Sequence, residues 1–394
     1  MFIAQHHKQD GAPAAVADRP LRVALFSGNY NCVRDGANQA LNRLVAHLID
    51  RGHAVRVYSP TIARPAFPPA GDLVSVPSVP IPTRREYRVA LGLPRATRAD
   101  LDDFAPDIVH LSAPDWLGGA AQAQARRRGI PVVASLHTRF ETYLSYYGLG
   151  LLRRRADAWL DRFYRHSDMV LVPNAPIADE FAAKGLGDRV RVWGRGVDRA
   201  VFSPARRDLG WRRGQGYGDE ETVVLFFGRL VLEKGLAIFA QVIAEARARG
   251  RRLRPMIVGD GPARGWLAER LPNARFLGHL TGASLGAAIA AADILINPST
   301  TEAFGNVNLE AMAAGVAVVS AEVASATALI ADRISGWLVP PVEVGAYVDA
   351  IEALIDRPEL RASIADAGLA AADAFRWPSI LDGVIADYRW LLAG

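Results

Sequence analysis

Two cations five residues apart, Arg229 and Lys234, stand in the turn Gly228-Arg229-Leu230-Val231-Leu232-Glu233-Lys234-Gly235. A guanidinium can grip a phosphate through two parallel N–H bonds, and an ammonium adds a compact point charge. Lysine is scarce in this chain: Lys8, Lys184 and Lys234 are the only three. The run Thr222 to Phe227 before the turn reads as a strand, and Leu236 to about Arg249 after it as a helix. Both cations therefore belong at a strand's carboxyl end, where α/β sheets bind ligands. The plain alternative is a solvated surface pair; lysine scarcity and the strand-end position favour an anion site.

A second group is Glu302-Ala303-Phe304-Gly305-Asn306-Val307-Asn308-Leu309-Glu310, two glutamates separated by seven residues. It follows the strand Ile294 to Asn297 and runs into a helix containing Ala311 to Ala314. Glu302 is expected on the loop and Glu310 in the first helical turns. The amides around Phe304, Gly305, Asn306 and Val307 are donors at a helix N-terminus, suited to an anion. Carboxylates accept hydrogen bonds from vicinal hydroxyls, so one glutamate can hold a sugar and the other a ribose. Such pairs also arise by chance, and this one gains its weight from the Arg/Lys turn.

Near the N-terminus, the turn Ser27-Gly28-Asn29-Tyr30-Asn31-Cys32-Val33-Arg34-Asp35-Gly36 lacks the G-x-G-x-x-G spacing of a dinucleotide fold. Gly36 opens a helix, where the missing side chain lets a phosphate approach the backbone. His137 ends the apolar run Pro131 to His137, again at a carboxyl end. A lone histidine is usually structural, but one at a strand terminus can serve in hydrogen bonding or charge stabilisation. Asp100-Leu101-Asp102-Asp103 offers a superficial metal pair, but its polar helical setting reads as an exposed helix face. The histidines are scattered and there is one cysteine, Cys32, so no metal site and no disulfide is expected.

The elements that must position these residues form two series. Strands are expected at Leu21 to Ser27, Ala54 to Ser59, Asp107 to Leu111, Pro131 to His137, Met169 to Val172 and Val190 to Trp193. Helices lie between them, such as Gly36 to Arg51 and Trp116 to Arg128, the latter stopped by Gly129. Thr61 to Pro82 is Pro-rich and irregular, with strand-like pieces around Leu73 to Val76. Asp198 to Asp219 is polar and reads as a linker. The alternation then restarts with Thr222 to Phe227, Pro255 to Val258, Arg275 to Leu277, Ile294 to Asn297 and Val316 to Ser320. The expected fold is α/β, two Rossmann-like doubly wound domains facing a central cleft. The expected boundaries are a flexible tail 1–20, an N-terminal domain 21–198, a C-terminal domain 199–376, and a C-terminal helix 377–394 crossing back to the first domain.

Composition sets the class. The chain has 394 residues, 50% hydrophobic and 22% charged, enough apolar material for packed cores. Its longest uncharged stretch, Phe276 to Ala292, is interrupted by glycines and polar residues and falls short of a membrane span. The N-terminus lacks the basic-then-apolar order of a signal peptide, so a protein of a reducing compartment, cytoplasmic, is expected. Residues 1–199 hold 27 Lys+Arg against 19 Asp+Glu, and the remainder is slightly acidic. That bias suits an anionic partner: nucleic acid, membrane surface or phosphorylated ligand. No recognition helix or aromatic-interleaved basic stretch supports nucleic acid. Tyr143, Tyr146, Tyr147, Leu149, Leu151 and Leu152 precede Arg153, Arg154 and Arg155, either a core helix with a charged flank or a membrane-facing segment.

The Gly228-to-Gly235 turn, Val258-Gly259-Asp260-Gly261-Pro262, and Glu302…Glu310 followed by Ala311-Met312 together resemble family-4 retaining glycosyltransferases of the GT-B fold. The resemblance covers nearly the whole chain after residue 20. Val76-Pro77-Ser78-Val79-Pro80, His137-Thr138-Arg139-Phe140-Glu141-Thr142-Tyr143-Leu144 and Trp193-Gly194-Arg195-Gly196-Val197-Asp198 look like a narrower group. It includes GDP-mannose-dependent α-mannosyltransferases and sulfoquinovosyl-diacylglycerol synthases. The resemblance implies that Arg229 and Lys234 bind the diphosphate of a nucleotide-sugar donor, Glu302 holds donor-sugar hydroxyls and Glu310 the ribose. It places Gly36 against the distal phosphate and His137 near the sugar's reacting face. It also implies front-face transfer with retention, without cofactor or metal, to a lipid-linked acceptor by a peripheral membrane enzyme. Departures are Asp35-Gly36 for a Gly-Gly pair, Ala317 for a proline, and Ala324-Ser325 with Ala328 where Gly-Gly and a later Glu are common. A UDP-sugar-dependent transferase, a nucleotide-sugar epimerase, a sugar phosphorylase or a non-catalytic binding protein of the same architecture are the competing readings.

Overall fold

The computed structural model describes residues 19–33, 35–81, 84–137 and 150–394, without the side chains of residues 84–86 and 150–156. Arg34, the motif residues Thr138 to Leu144, and Tyr146, Tyr147 and Leu149 lie outside the described residues. Leu151, Leu152 and Arg153 to Arg155 fall in the helix Gly150–Arg165, with their side chains outside the description.

Two compact units account for the chain, Met1–Gly194 with Pro378–Gly394, and Arg195–Trp377. The first is built on β1 (Arg22–Phe26), β2 (Ala54–Ser59), β3 (Asp72–Ser75), β4 (Ser78–Ile81), β5 (Arg84–Ala90), β6 (Ile108–Leu111), β7 (Val132–Ser135), β8 (Met169–Val172) and β9 (Val190–Val192). Seven of these form one parallel sheet in the order β3-β2-β1-β6-β7-β8-β9, while β4 and β5 pair as an antiparallel hairpin. Helix α1 (Gly36–Asp50) follows β1, and α2 (Trp116–Arg127) follows β6. Val23, Ala24 and Leu25 are 0% exposed in succession. A strand without alternation is one covered on both faces, which is why the sheet is parallel and helix-flanked.

The second unit repeats the plan with β10 (Thr222–Phe227), β11 (Leu253–Val258), β12 (Arg275–Gly278), β13 (Ile294–Asn297), β14 (Ala317–Ala321) and β15 (Trp337–Val339). Their order is β12-β11-β10-β13-β14-β15. Val223 and Leu225 enter one core and Val224 and Phe226 the other, so successive residues of β10 seal opposite faces. Helix α3 (Leu236–Ala248) follows β10 and α4 (Asn306–Ala313) follows β13. In each sheet the winding direction reverses once, between β1 and β6 in the first and between β10 and β13 in the second. The loops leaving those strands diverge, and that is where α/β sheets open to ligands.

Helix α5 (Trp377–Ala393) packs from Pro378 onward in the first unit. Asp382 meets His47 Nε2 at 2.7 Å and Arg51 Nη2 at 2.6 Å. Arg191 stacks on Trp390 with 4.2 Å to the ring centroid, and Tyr388 is fully buried.

Four local expectations change. The Asp198-to-Asp219 stretch is folded into the second unit, not a linker. Helix Leu209–Gly214 carries Arg212, fully buried, whose Nη1 donates to Ala291 O at 2.7 Å and meets Asp293 Oδ2 at 3.1 Å. A polar sequence reads as a linker until its arginine finds buried acceptors. Within Thr61 to Pro82, β3 is a parallel edge strand, and the hairpin β4–β5 begins at Ser78. Strand β7 stops at Ser135, two residues before His137. Asp100 and Asp102 are ion-paired, to Arg56 at 3.2 Å and to Arg128 respectively, on the helix Arg95–Phe104.

Candidate functional site

Three backbone turns converge at the carboxyl ends of β10, β11 and β13, and glycine is what lets them touch. Gly228 N donates to Val258 O at 3.0 Å and Leu230 N to Asp260 O at 2.9 Å. A Cβ on Gly259 would lie 1.9 Å from Gly228 O, and one on Gly261 2.4 Å from Leu230 O. The turn carrying Arg229 is thus stitched to the Val258-Gly259-Asp260-Gly261 turn. At its far end, a Cβ on Gly235 would lie 2.8 Å from Pro298 O, the first residue past β13.

That last approach brings Lys234 to Glu302. Lys234 Nζ donates to Glu302 Oε1 at 2.7 Å, with side chains 26% and 20% exposed. The ammonium has three N–H donors, so the pair leaves two for an anion. Arg229 is exposed on the same turn.

The loop after β13 is held by a buried amide network. Asn297 Nδ2 donates to Asn308 Oδ1 at 2.8 Å, and Asn308 Nδ2 donates to Ser320 Oγ at 3.0 Å. Ser299 N donates to Asn297 Oδ1 at 3.2 Å, and Ser299 Oγ is buried without a partner among the described residues. Helix α4 starts on Gly305, in the left-handed region at φ 91°, and no side chain caps it. No side-chain cap therefore takes up the first N–H groups of this helix, the stretch that holds Phe304 to Val307 at its start. Glu310 stands half-buried in the second turn of α4.

In the first unit Gly36 is the opening residue of α1 and exposed, but Asp35 caps the same helix. Asp35 Oδ1 accepts from Asn38 N at 2.8 Å. Burial pushes the Asp35 carboxyl up, against the lowering pull of the Asn38 and Ala37 N–H groups. A phosphate at this helix start has to share it with a carboxyl group. Gly28, at the end of β1, faces Asp115, the N-cap of α2; a Cβ there would be 2.2 Å from Asp115 Oδ2.

His137, half-buried just beyond β7, meets Ser135 Oγ through Nε2 at 2.8 Å. Trp193 stands edge-on to it, ring centroids 5.1 Å apart, and also to His110 at 5.7 Å. His110 Nε2 lies 2.9 Å from Ser135 Oγ and Nδ1 lies 2.5 Å from the Tyr388 hydroxyl. Sequence reasoning missed His110, Ser135 and Tyr388, as it missed Asn297, Asn308 and Ser320. For His110, Ser135, Asn297 and Ser320 the available signal was polarity inside apolar strands, since buried polar groups are normally hydrogen-bonded; Asn308 and Tyr388 lie on helices and gave no such signal.

Among the described residues no group of three or more His, Cys, Asp and Glu side chains is arranged to hold a metal ion. No helix among them is long and apolar enough to cross a membrane.

Residues 34–201 match the family model described as Glycosyltransferase Family 4, and residues 221–357 match that for glycosyl transferases group 1. A GDP-mannose-dependent alpha-mannosyltransferase of Mycolicibacterium smegmatis is 34% identical over 382 residues, 94% of this chain and 98% of that protein. The chain belongs to glycosyltransferase family 4. Sulfoquinovosyl transferase SQD2 of Arabidopsis thaliana is 27% identical across 91% of this chain and 71% of its own length. Among solved structures, sucrose-phosphate synthase from Thermosynechococcus elongatus superimposes with a TM-score of 0.75 at 20% identity, covering 95% of this chain and 100% of that one. These likenesses give the GT-B class for the two doubly wound domains, and family membership makes the protein a glycosyltransferase.

Proposed function

We propose that this glycosyltransferase moves a hexose, mannose from GDP-mannose, to a lipid-linked acceptor with retention of anomeric configuration. The observation that carries the reading is the Arg229/Lys234 turn, stitched to the β11 turn and ion-paired to Glu302. Arg229 and Lys234 take the donor diphosphate, joined by the uncapped start of α4. Glu302 turns its carboxylate to the sugar hydroxyls and Glu310 to the ribose. In the first domain His137 acts at the sugar's reacting face, and Gly36 offers its backbone to the distal phosphate.

In the transfer, the bond from C1 to the phosphate oxygen breaks as the acceptor oxygen bonds C1 on the same face. The acceptor's proton passes to the departing phosphate oxygen, and GDP leaves. Charge developing on that phosphate falls to Arg229, Lys234 and the α4 amides, the preorganised donors that make electrostatic catalysis effective. The relative at 34% identity supports GDP-mannose as donor.

The acceptor side draws on the basic bias of residues 1–199. Val79 and Val89 of the β4–β5 hairpin and Leu91 just past it are 46%, 37% and 58% exposed, an apolar patch on that basic half. Together they support peripheral binding to the inner face of the cytoplasmic membrane.

Incubation with GDP-[14C]mannose and a membrane lipid extract tests the reading. Label should enter the organic phase, and replacement of Lys234 by Ala should abolish it. Label that stays aqueous with every extract, or transfer only from UDP-hexoses, overturns it. Proton NMR of the first product reads the anomeric outcome.

A further inference from the structure

Four side chains of the first unit form one continuous hydrogen-bonded line. It runs from Tyr388 on α5 through His110 on β6 and Ser135 on β7 to His137. Tyr388 and His110 are 0% exposed and Ser135 is 2% exposed. The contacts are 2.5, 2.9 and 2.8 Å in that order. We infer that this line has a single direction of donation, and that Tyr388, His110 and Ser135 thereby hold His137 as the tautomer protonated on Nδ1. The inference deepens the proposed role of His137 and rests on it for its catalytic meaning.

The direction follows from counting protons. Burial raises the Tyr388 phenol above its usual range, so it carries its proton. Among the described residues His110 Nδ1 is its one hydrogen-bond partner. A buried hydroxyl that donates to nothing costs about 1–3 kcal/mol, so Tyr388 donates and Nδ1 of His110 accepts. Burial pushes His110 down to about 3, so its ring is neutral. A neutral imidazole that accepts at Nδ1 carries its proton on Nε2, and that proton goes to Ser135 Oγ. Ser135 has one proton of its own and two acceptors in reach, His137 Nε2 at 2.8 Å and Leu111 O at 3.4 Å. The nearer is the bond of normal length. Nε2 of His137 is thus an acceptor, and the neutral ring bears its proton on Nδ1. The reverse direction would leave the Tyr388 proton buried with no acceptor.

The chemical consequence is a division of labour. With Nε2 accepting from Ser135, the ring's N–H is on Nδ1, so any part that His137 takes in the reaction is as a hydrogen-bond donor. It is not placed to act as a base through Nε2. That suits a front-face transfer, in which the leaving phosphate takes the acceptor's proton. Tyr388, Ser135 and His110 are positioning residues that act through His137.

Long-range 1H–15N correlation spectra of the full chain, labelled with 15N-histidine, test this directly. The His137 signal is the one missing in His137→Gln. The expected pattern is a protonated Nδ1 and an unprotonated Nε2 in the wild type. Ser135→Ala and Tyr388→Phe should each convert it to a mixture of tautomers. Their kcat should fall about tenfold, the worth of one hydrogen bond, with KM for the donor within about twofold. An Nε2-protonated His137 in the wild type overturns the inference. So does a tautomer that neither variant moves, even where both lower the Tm. If the tautomer behaves as described but His137→Ala keeps full kcat, the hydrogen-bonded line stands and the catalytic role of His137 fails.

Discussion

Lys234 and Glu302 are each half-shielded from water and matched to one another, which keeps two mobile side chains in place before any ligand arrives. Ion pairs that water still reaches contribute little to stability, about 0–1 kcal/mol. Their value lies in positioning. If Glu302 serves the sugar while Lys234 serves the diphosphate, the two functions separate on mutation. Glu302→Gln keeps a hydrogen-bond acceptor for Lys234, so its Kd for free GDP should stay within about threefold of wild type. Its kcat/KM for the nucleotide sugar should fall at least about tenfold, because a carboxylate–hydroxyl bond outweighs an amide–hydroxyl bond. Calorimetry with GDP and steady-state kinetics on one preparation check both. Arg229, Lys234 and Glu302 stand out in the sequence because each follows an apolar strand by two to seven residues, and Glu310 because it falls in the helical run after the same loop. Asn297, Asn308 and Ser320 were not legible, since their partners are set by how helix α4 packs on the ends of β13 and β14. Nothing in the sequence near His110 points to Tyr388, which lies 278 residues away.

At the scale of elements, the strands β1, β2 and β10 stand where apolar runs put them, and the switch points follow from strand order. The hairpin β4–β5 was hidden because Pro80 argues against a strand. A two-stranded hairpin is all edge, where a missing N–H breaks no central ladder. The glycine-rich turns are positioned by steric need, and this gives a sharp expectation. Gly259 has φ 135° and no room for a Cβ against Gly228 O. Gly259→Ala should destabilise the second domain by about 3 kcal/mol or more in urea unfolding. Gly265→Ala, on the helix Arg264–Arg270 with nothing within 4 Å of the added carbon, should change stability by less than about 1 kcal/mol. Equal costs would mean that the two turns are not packed backbone to backbone.

Helix α5 carries a second expectation. Burial pushes the Asp387 carboxyl up to about 7, with Arg191 pulling it back. An unfolded aspartate titrates near ~4, so the folded state holds the proton more tightly. The resulting stability is fully present below about pH 4 and is lost as the pH rises to about 7. Asp387→Asn stays neutral throughout, so its Tm relative to wild type should climb by roughly 5 °C between pH 4 and 7.5. A gap that does not change with pH would place the Asp387 carboxyl in water.

On the scale of the whole molecule, two doubly wound units divide the charge unequally, with the basic excess in residues 1–199. The two-domain class was legible from the restart of the strand–helix alternation at Thr222. The assignment of Asp198 to Asp219 was not, because its anchor is Arg212 reaching carbonyls that arrive only when the second sheet forms. The central claim is that the Arg229/Lys234 turn binds the diphosphate of a guanosine nucleotide sugar. Isothermal titration of GDP and UDP into the wild type and Arg229→Ala tests it most directly. GDP should bind at least about tenfold tighter than UDP, and Arg229→Ala should weaken GDP by about 10–100-fold, the worth of a charge-assisted phosphate contact. No binding of either nucleotide, or undiminished GDP binding by a folded Arg229→Ala, would contradict the account.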